Sequence, residues 1–193
     1  MSTNGNAKSL TLTTNFSHIL SSRLFWTLTF SVITFISAQI EIPAQPVPFT
    51  LQTIVVLLAG AFLGPVNGAV SQLFYLTAGA LGLPVFAGFS FGIPVLFGPT
   101  GGYLAAFPLV AFVVGYLVRK NSSLISVSLS MLLGTALILI SGSFYLSLFV
   151  NGNLQHAFYV GAVIFAIWGL IKAAISIGIY FSVKNKFSSF FSK

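Results

Sequence analysis

The chain contains no cysteine and a single acidic side chain, Glu41. The first absence excludes disulfides, thiolate metal sites and cysteine nucleophiles. The second excludes paired carboxylates for acid–base work. With His18 and His156 as the only histidines, zinc constellations and Ser-His-Asp chemistry also lack parts. What is missing argues against a hydrolytic enzyme. No GxxxxGK[ST] phosphate loop occurs either, so the chain carries no P-loop of its own.

Charge of any sign is scarce: 5% of the 193 residues are charged and 56% are hydrophobic. So few charges could not cover the surface of a soluble domain, which makes this an integral membrane protein. The apolar segments are continuous and about twenty residues long, which favours helices over the short alternating strands of a barrel. The net charge of +7 comes from basic residues standing singly or in pairs beside apolar runs. That pattern is a topology signal and not a nucleic-acid patch.

Uncharged stretches set the number of crossings. There are 17 residues between Arg23 and Glu41, 77 between Glu41 and Arg119, and 51 between Lys120 and Lys172. At about 20 residues per crossing, and with the last segment added, the chain holds about six spans. They are placed at 22–40, 51–63, 66–83, 101–118, 123–149 and about 157–183. The second and third look short, and the uncharged GPVNG turn between them suits a tilt, a kink or a tight hairpin. Lys8 and Arg23, Arg119 and Lys120, and Lys184, Lys186 and Lys193 then fall on one side, so the positive-inside rule makes both termini cytoplasmic. The fold class expected is an all-α membrane bundle of six transmembrane helices with irregular outer loops. A flexible or peripheral arm at 1–21, rather than a cleaved signal peptide, precedes the six-helix transmembrane domain at 22–185, and a cytoplasmic tail follows at 186–193.

Proline and glycine concentrate in two outer stretches, IPAQPVPFTLQT (42–53) and GLPVFAGFSFGIPVLFGPTGGY (82–103). Irregular backbone is tolerated at membrane depth only where it is buried in protein or lines a polar cavity. Both stretches mix aromatic faces with hydrogen-bonding tips: Phe49, Thr50 and Gln52 in the first, Phe86, Gly88, Phe89, Ser90 and Tyr103 in the second. Such a mixture suits a small amphipathic ligand under a lid, although interfacial aromatics and ordinary tight turns would leave the same trace.

Lys172, in GLIKAAISIG, is the second marker. It lies about 18 Å up the helix from Lys184, near the middle of a core about 30 Å thick. An ionisable residue at that depth faces the protein interior or a wet cavity, and a functional role is its default reading. Trp168, four residues earlier, could stack on a bound ring or on the ammonium. Either Glu41 folds toward Lys172, or a ligand supplies the anion, or the amine is partly neutral when the site is empty. Gln72 and Tyr75 suit either the cavity or interhelical hydrogen bonds, and His156, at the outer interface, is assigned no chemistry. The pairs Thr27/Ser31 and Thr34/Ala38 would let another helix approach the first span closely.

PVPFTLQT (46–53), LAGAFLGPVNGA (58–69), GALGLPVFAG (79–88) and GPTGGYLAAFPL (98–109) together resemble the BioY family, the biotin-binding membrane subunits of energy-coupling-factor transporters. The resemblance covers roughly residues 20 to 185 and rests on four motifs in order. It implies six helices with both termini inside and a biotin site on the outer face, closed by the loops after spans one and three. It implies a transmembrane coupling subunit and two cytoplasmic ATPase subunits as partners, beside membrane lipid, with ATP used by those partners and no cofactor in this chain. Gln52, Tyr103 and Lys172 match the family's glutamine, GGY tyrosine and span-six lysine. The chain departs from the pattern at Gly169, where an acid often stands, at Ser90 for asparagine, at Leu104 for arginine, and in lacking an AxxxA pattern in span one. Lys172 would then donate to the ureido oxygen of biotin or pair with its carboxylate. A solitary facilitator or proton-linked carrier, and a capture subunit for another vitamin, are the competing functions.

Overall fold

The computed structural model describes residues 22–188. The arm read at 1–21 and residues 189–193 of the tail, with Lys8, His18 and Lys193, lie outside them. The long elements are α1 (Arg23–Gln39), α2 (Gln52–Ala80), α4 (Gly101–Lys120), α5 (Leu124–Leu146) and α7 (Ile164–Ser188); the short helices α3 (Ile93–Leu96) and α6 (Leu154–Phe158) lie between them. α7 continues three residues into the segment read as a tail.

Four helical runs are long and apolar enough to cross a bilayer: 52–80, 101–120, 124–149 and 154–188. Two physical reasons separate this from six full-length spans. α1 has 17 residues, about 26 Å at the helical rise, just short of a full crossing. α2 is folded back on itself, at Gly64 (φ 79°, ψ −178°), a conformation open in practice only to glycine. Pro65 then starts the second arm, where its missing N–H costs nothing. The fold-back brings Gln52 and Tyr75, which a straight helix would separate by about 34 Å, to a 2.6 Å hydrogen bond. The uncharged GPVNG turn is thus a tight hairpin.

α1 lies against the second arm of α2. Thr27, Thr34 and Ala38 are buried, Ser31 Oγ donates to the Ser71 carbonyl at 2.6 Å, and Thr34 pairs with Gln72. Gln72 therefore takes the interhelical role. The innermost core joins α2, α4 and α5 through Val56, Leu57, Val110, Val114, Val127 and Met131. Large apolar side chains such as Ile125, Leu129, Ile167 and Leu170 face outward. An inside-out distribution of this kind matches a lipid surround.

The reading of an all-α chain omits one small feature. Strands β1 (Glu41–Ile42) and β2 (Phe49–Thr50) pair antiparallel, Glu41 opposite Thr50 and Ile42 opposite Phe49. This ladder closes the first proline-rich stretch into a hairpin.

Candidate ligand-binding site

A cavity of about 240 Å³ lies beneath the two proline- and glycine-rich stretches, between α2, α4, α5 and α7. The hairpin at 41–50 contributes Val47, Pro48 and Thr50, and the segment at 85–90 contributes Phe86, Ala87 and Ser90. Both act as a roof. The walls are mainly apolar and aromatic, with Phe107 from α4, Ile138 and Leu139 from α5 and Phe165 from α7.

The roof is held by polar ties. Thr50 Oγ1 donates to Gln52 Oε1 at 2.9 Å, Gln52 Nε2 donates to Tyr75 Oη at 2.6 Å, and Tyr75 Oη donates to the Val85 carbonyl at 3.2 Å. One relay joins the two roof segments. Tyr75 accordingly serves the relay and is fully buried, not a cavity wall. Phe86 is 1% exposed, with its ring edge-on to Tyr75, so this lid residue is also core.

The GPTGG motif opens α4 beneath the roof. A Cβ on Gly101 would collide with the Leu96 carbonyl, and one on Gly102 with the Tyr145 side chain. Only residues without side chains let the helix start this close to its neighbours. Tyr103 then turns its ring over Gly142 and donates its hydroxyl to the Gly161 carbonyl at 2.8 Å. Gly161 belongs to a π-turn at Tyr159–Val163, where the helix leading into α7 is locally widened. Tyr103 therefore ties the cavity wall to the entry of the helix that carries Lys172.

Lys172 is 9% exposed and borders the cavity. Its carbonyl accepts the Ser176 hydroxyl at 2.8 Å, but its side-chain amine makes no hydrogen bond or ion pair with any other described residue. Glu41 does not fold toward it: its carboxylate lies beside Gly88 in the roof. A buried amine without a protein acceptor is costly unless something else accepts its hydrogen bonds. Thr135, also on the cavity wall, donates its hydroxyl to the Met131 carbonyl at 2.9 Å, leaving its oxygen lone pairs for an incoming donor. The cavity thus offers a donor and an acceptor in one apolar chamber. No group of three or more metal-ligating side chains occurs among the described residues.

Of the ten residues expected at a site, Thr50, Gln52, Phe86, Ser90, Tyr103 and Lys172 border the cavity, whereas Phe49, Gly88, Phe89 and Trp168 do not. Phe49 stacks behind the wall on Phe165, and Trp168 is half-exposed with its edge toward Phe49. Phe89 is 62% exposed at the roof tip. Ser90 turns its hydroxyl into its own loop, donating to the Ala87 carbonyl at 2.7 Å. Sequence reasoning missed Phe107, Thr135 and Phe165. Phe165 had a signal, since it lies seven residues before Lys172, within roughly 20° of it around the helix.

The BioY family model matches residues 7–189. A probable biotin transporter BioY from Pyrococcus horikoshii is 43% identical over 148 residues, 77% of this chain and 87% of that protein. The biotin transporter BioY of Thermotoga maritima is 42% identical over 147 residues, 76% of this chain and 86% of that one. Among solved structures, the S-component for biotin from an ECF-type ABC transporter superposes with a TM-score of 0.78 at 25% identity, covering 98% of this chain and 100% of the other.

Proposed function

The chain belongs to the BioY family, and from that premise we infer that it is the membrane-embedded subunit that captures biotin for uptake. The observation that carries the reading is Lys172: a buried amine, unpartnered among the described residues, at the wall of an apolar cavity under a closed roof. Biotin offers what this chamber lacks. Its fused ring is apolar enough to lie against Phe86, Phe107 and Phe165, its ureido oxygen accepts from Lys172, and its ureido N–H groups find the lone pairs of Thr135. The valeryl carboxylate then extends toward the roof. Capture and release involve no chemical step.

The finer architecture follows the same reading. α1, the two arms of α2, α4, α5 and α7 make six crossings, with α1 and the α2 arms short and the bilayer adjusting around them. Arg23, Arg119 and the Gly64 turn border one cleft, which places them together at the end away from the roof. By the positive-inside rule, basic residues at that end support cytoplasmic termini and a roof on the outer face. Loading from outside and release inward then require energy that this chain, without a P-loop, does not supply. A transmembrane coupling subunit and two cytoplasmic ATPases supply it, consuming ATP, and the likeness to a solved ECF S-component supports this partnership.

The test is equilibrium binding of labelled biotin to purified protein in detergent or lipid nanodiscs, with other vitamins as competitors. Saturable binding displaced by unlabelled biotin is expected. Binding of another vitamin undiminished by excess biotin overturns the reading, and biotin transport by the chain alone in vesicles without ATP overturns the coupled mechanism.

A further inference from the structure

Gln39 is the last residue of α1 and belongs to neither roof segment, yet it makes the most specific contacts with the second of them. Its Nε2 donates to the carbonyls of Phe86 at 3.0 Å and Val85 at 3.3 Å. Its Oε1 accepts the backbone N–H of Phe89 at 3.0 Å. A single amide thus reads the loop in both senses, donor to carbonyls and acceptor to an N–H, as a paired strand would.

The loop needs such a partner. Gly88 and Phe89 hold consecutive left-handed backbones, φ 63° and 55°. For glycine this is free, but an aromatic residue there is strained and persists only where its surroundings hold it. Phe89 contributes little packing of its own at 62% exposure, so the hydrogen bond to its N–H is what fixes it. Inside the loop, Phe86 N–H donates to the Ser90 carbonyl at 3.1 Å, which closes the turn but does not anchor it to any helix. The anchors are Gln39 and Tyr75, which share the Val85 carbonyl.

We propose that Gln39 is a positioning residue that holds the segment at 85–90 shut over the cavity and thereby sets how fast the ligand escapes. This rests on the reading that the cavity holds biotin. Gln39 does not line the cavity, so its effect passes through Phe86, Ala87 and Ser90, which do. Being the end of α1, it also makes the seal respond to the position of α1 against α2.

Two measurements on the full chain in nanodiscs test this: dissociation of labelled biotin, and amide hydrogen exchange over 86–90 in the empty protein. Gln39→Met keeps the length and removes the amide. Dissociation about tenfold faster is expected, the scale of one or two net hydrogen bonds, together with faster exchange at 86–90. Gln39→Asn, an amide one methylene too short, gives the same acceleration and serves where the methionine variant accumulates poorly. Adding Phe89→Asn, a residue that tolerates the left-handed region, recovers part of the loss. Wild-type dissociation in Gln39→Met overturns the proposal, and so does faster release with 86–90 as protected as before. If the wild-type chain binds no biotin the functional reading fails, while the exchange experiment still decides whether Gln39 holds the loop.

Discussion

The rings of Phe49 and Phe165 lie stacked, with centroids 4.0 Å apart and planes 19° apart, and fasten the roof hairpin to α7. Phe165 faces the cavity and Phe49 backs it. Phe165→Ala removes both a ligand contact and the seat of the hairpin, and about a tenfold or greater loss of biotin affinity is expected in equilibrium binding. Phe49→Ala removes only the seat. A smaller loss, carried mainly by faster dissociation, separates the two roles.

Lys172→Met and Lys172→Ala each cost at least about tenfold in affinity, roughly 1.4 kcal/mol or more, because a charged hydrogen bond in a dry site is lost. The two proposed partners are distinguished with analogues. If the amine donates to the ureido oxygen, replacing that oxygen with an imino group weakens binding to the wild type and matters little to Lys172→Met, while capping the carboxylate as an amide weakens both equally. The opposite pattern assigns the amine to the carboxylate. Wild-type affinity in both variants removes Lys172 from the site.

Tyr103→Phe keeps the ring over Gly142 and deletes the bond to the Gly161 carbonyl. The orphaned acceptor lies in a π-turn within an apolar setting, so about 1–3 kcal/mol of stability is lost. Thermal unfolding in detergent shows the drop, with biotin affinity reduced far less than in the Phe165→Ala variant. A larger residue at Gly142 displaces the ring itself and reverses that ranking.

Gly64→Ala places a side chain at φ 79°, ψ −178°. No neighbouring atom would obstruct the new Cβ, so the cost is backbone strain alone, on the order of 1–3 kcal/mol. The transition temperature falls, and Gly64→Asn lowers it about as much, because this ψ lies outside the left-handed α region that asparagine tolerates. Wild-type unfolding temperatures in both variants would show that the turn does not depend on this glycine conformation.

Gly169→Ala puts a Cβ 3.0 Å from the Thr135 methyl. Affinity falls in that variant, and the double variant Gly169→Ala/Thr135→Ser, which removes the methyl and keeps the hydroxyl, regains part of it. Thr135→Val alone, which deletes the lone pairs and preserves the shape, weakens biotin binding by about fivefold to tenfold.

Much of this was legible because charge and backbone chemistry act locally. The gaps between charges bracket the four long apolar helical runs, and glycine followed by proline at 64 and 65 announced a turn that no ordinary helix permits. Lys172 was readable from depth alone. Trp168 shares a face with Lys172 but lies about 40° around the helix from it, on the side away from the other buried residues. The buried stripe on α7 runs through Phe165, Gly169, Lys172, Ser176 and Tyr180 and leaves Trp168 to one side. Phe49, expected among the ligand-binding residues, stands behind the chamber wall instead, a distinction set by strand register in a two-residue ladder. Thr135 and Gln39 carry no local mark. Their roles come from residues dozens of positions away, and a threonine or glutamine in an apolar run has many possible partners.

The Tyr75 hydroxyl stands between the two covers, accepting from Gln52 and donating to Val85. Two flaps hung on one hinge pin cannot swing separately without breaking it. Entry and exit should accordingly follow a single exponential in stopped-flow traces, and cutting the pin with Tyr75→Phe should split them into two phases.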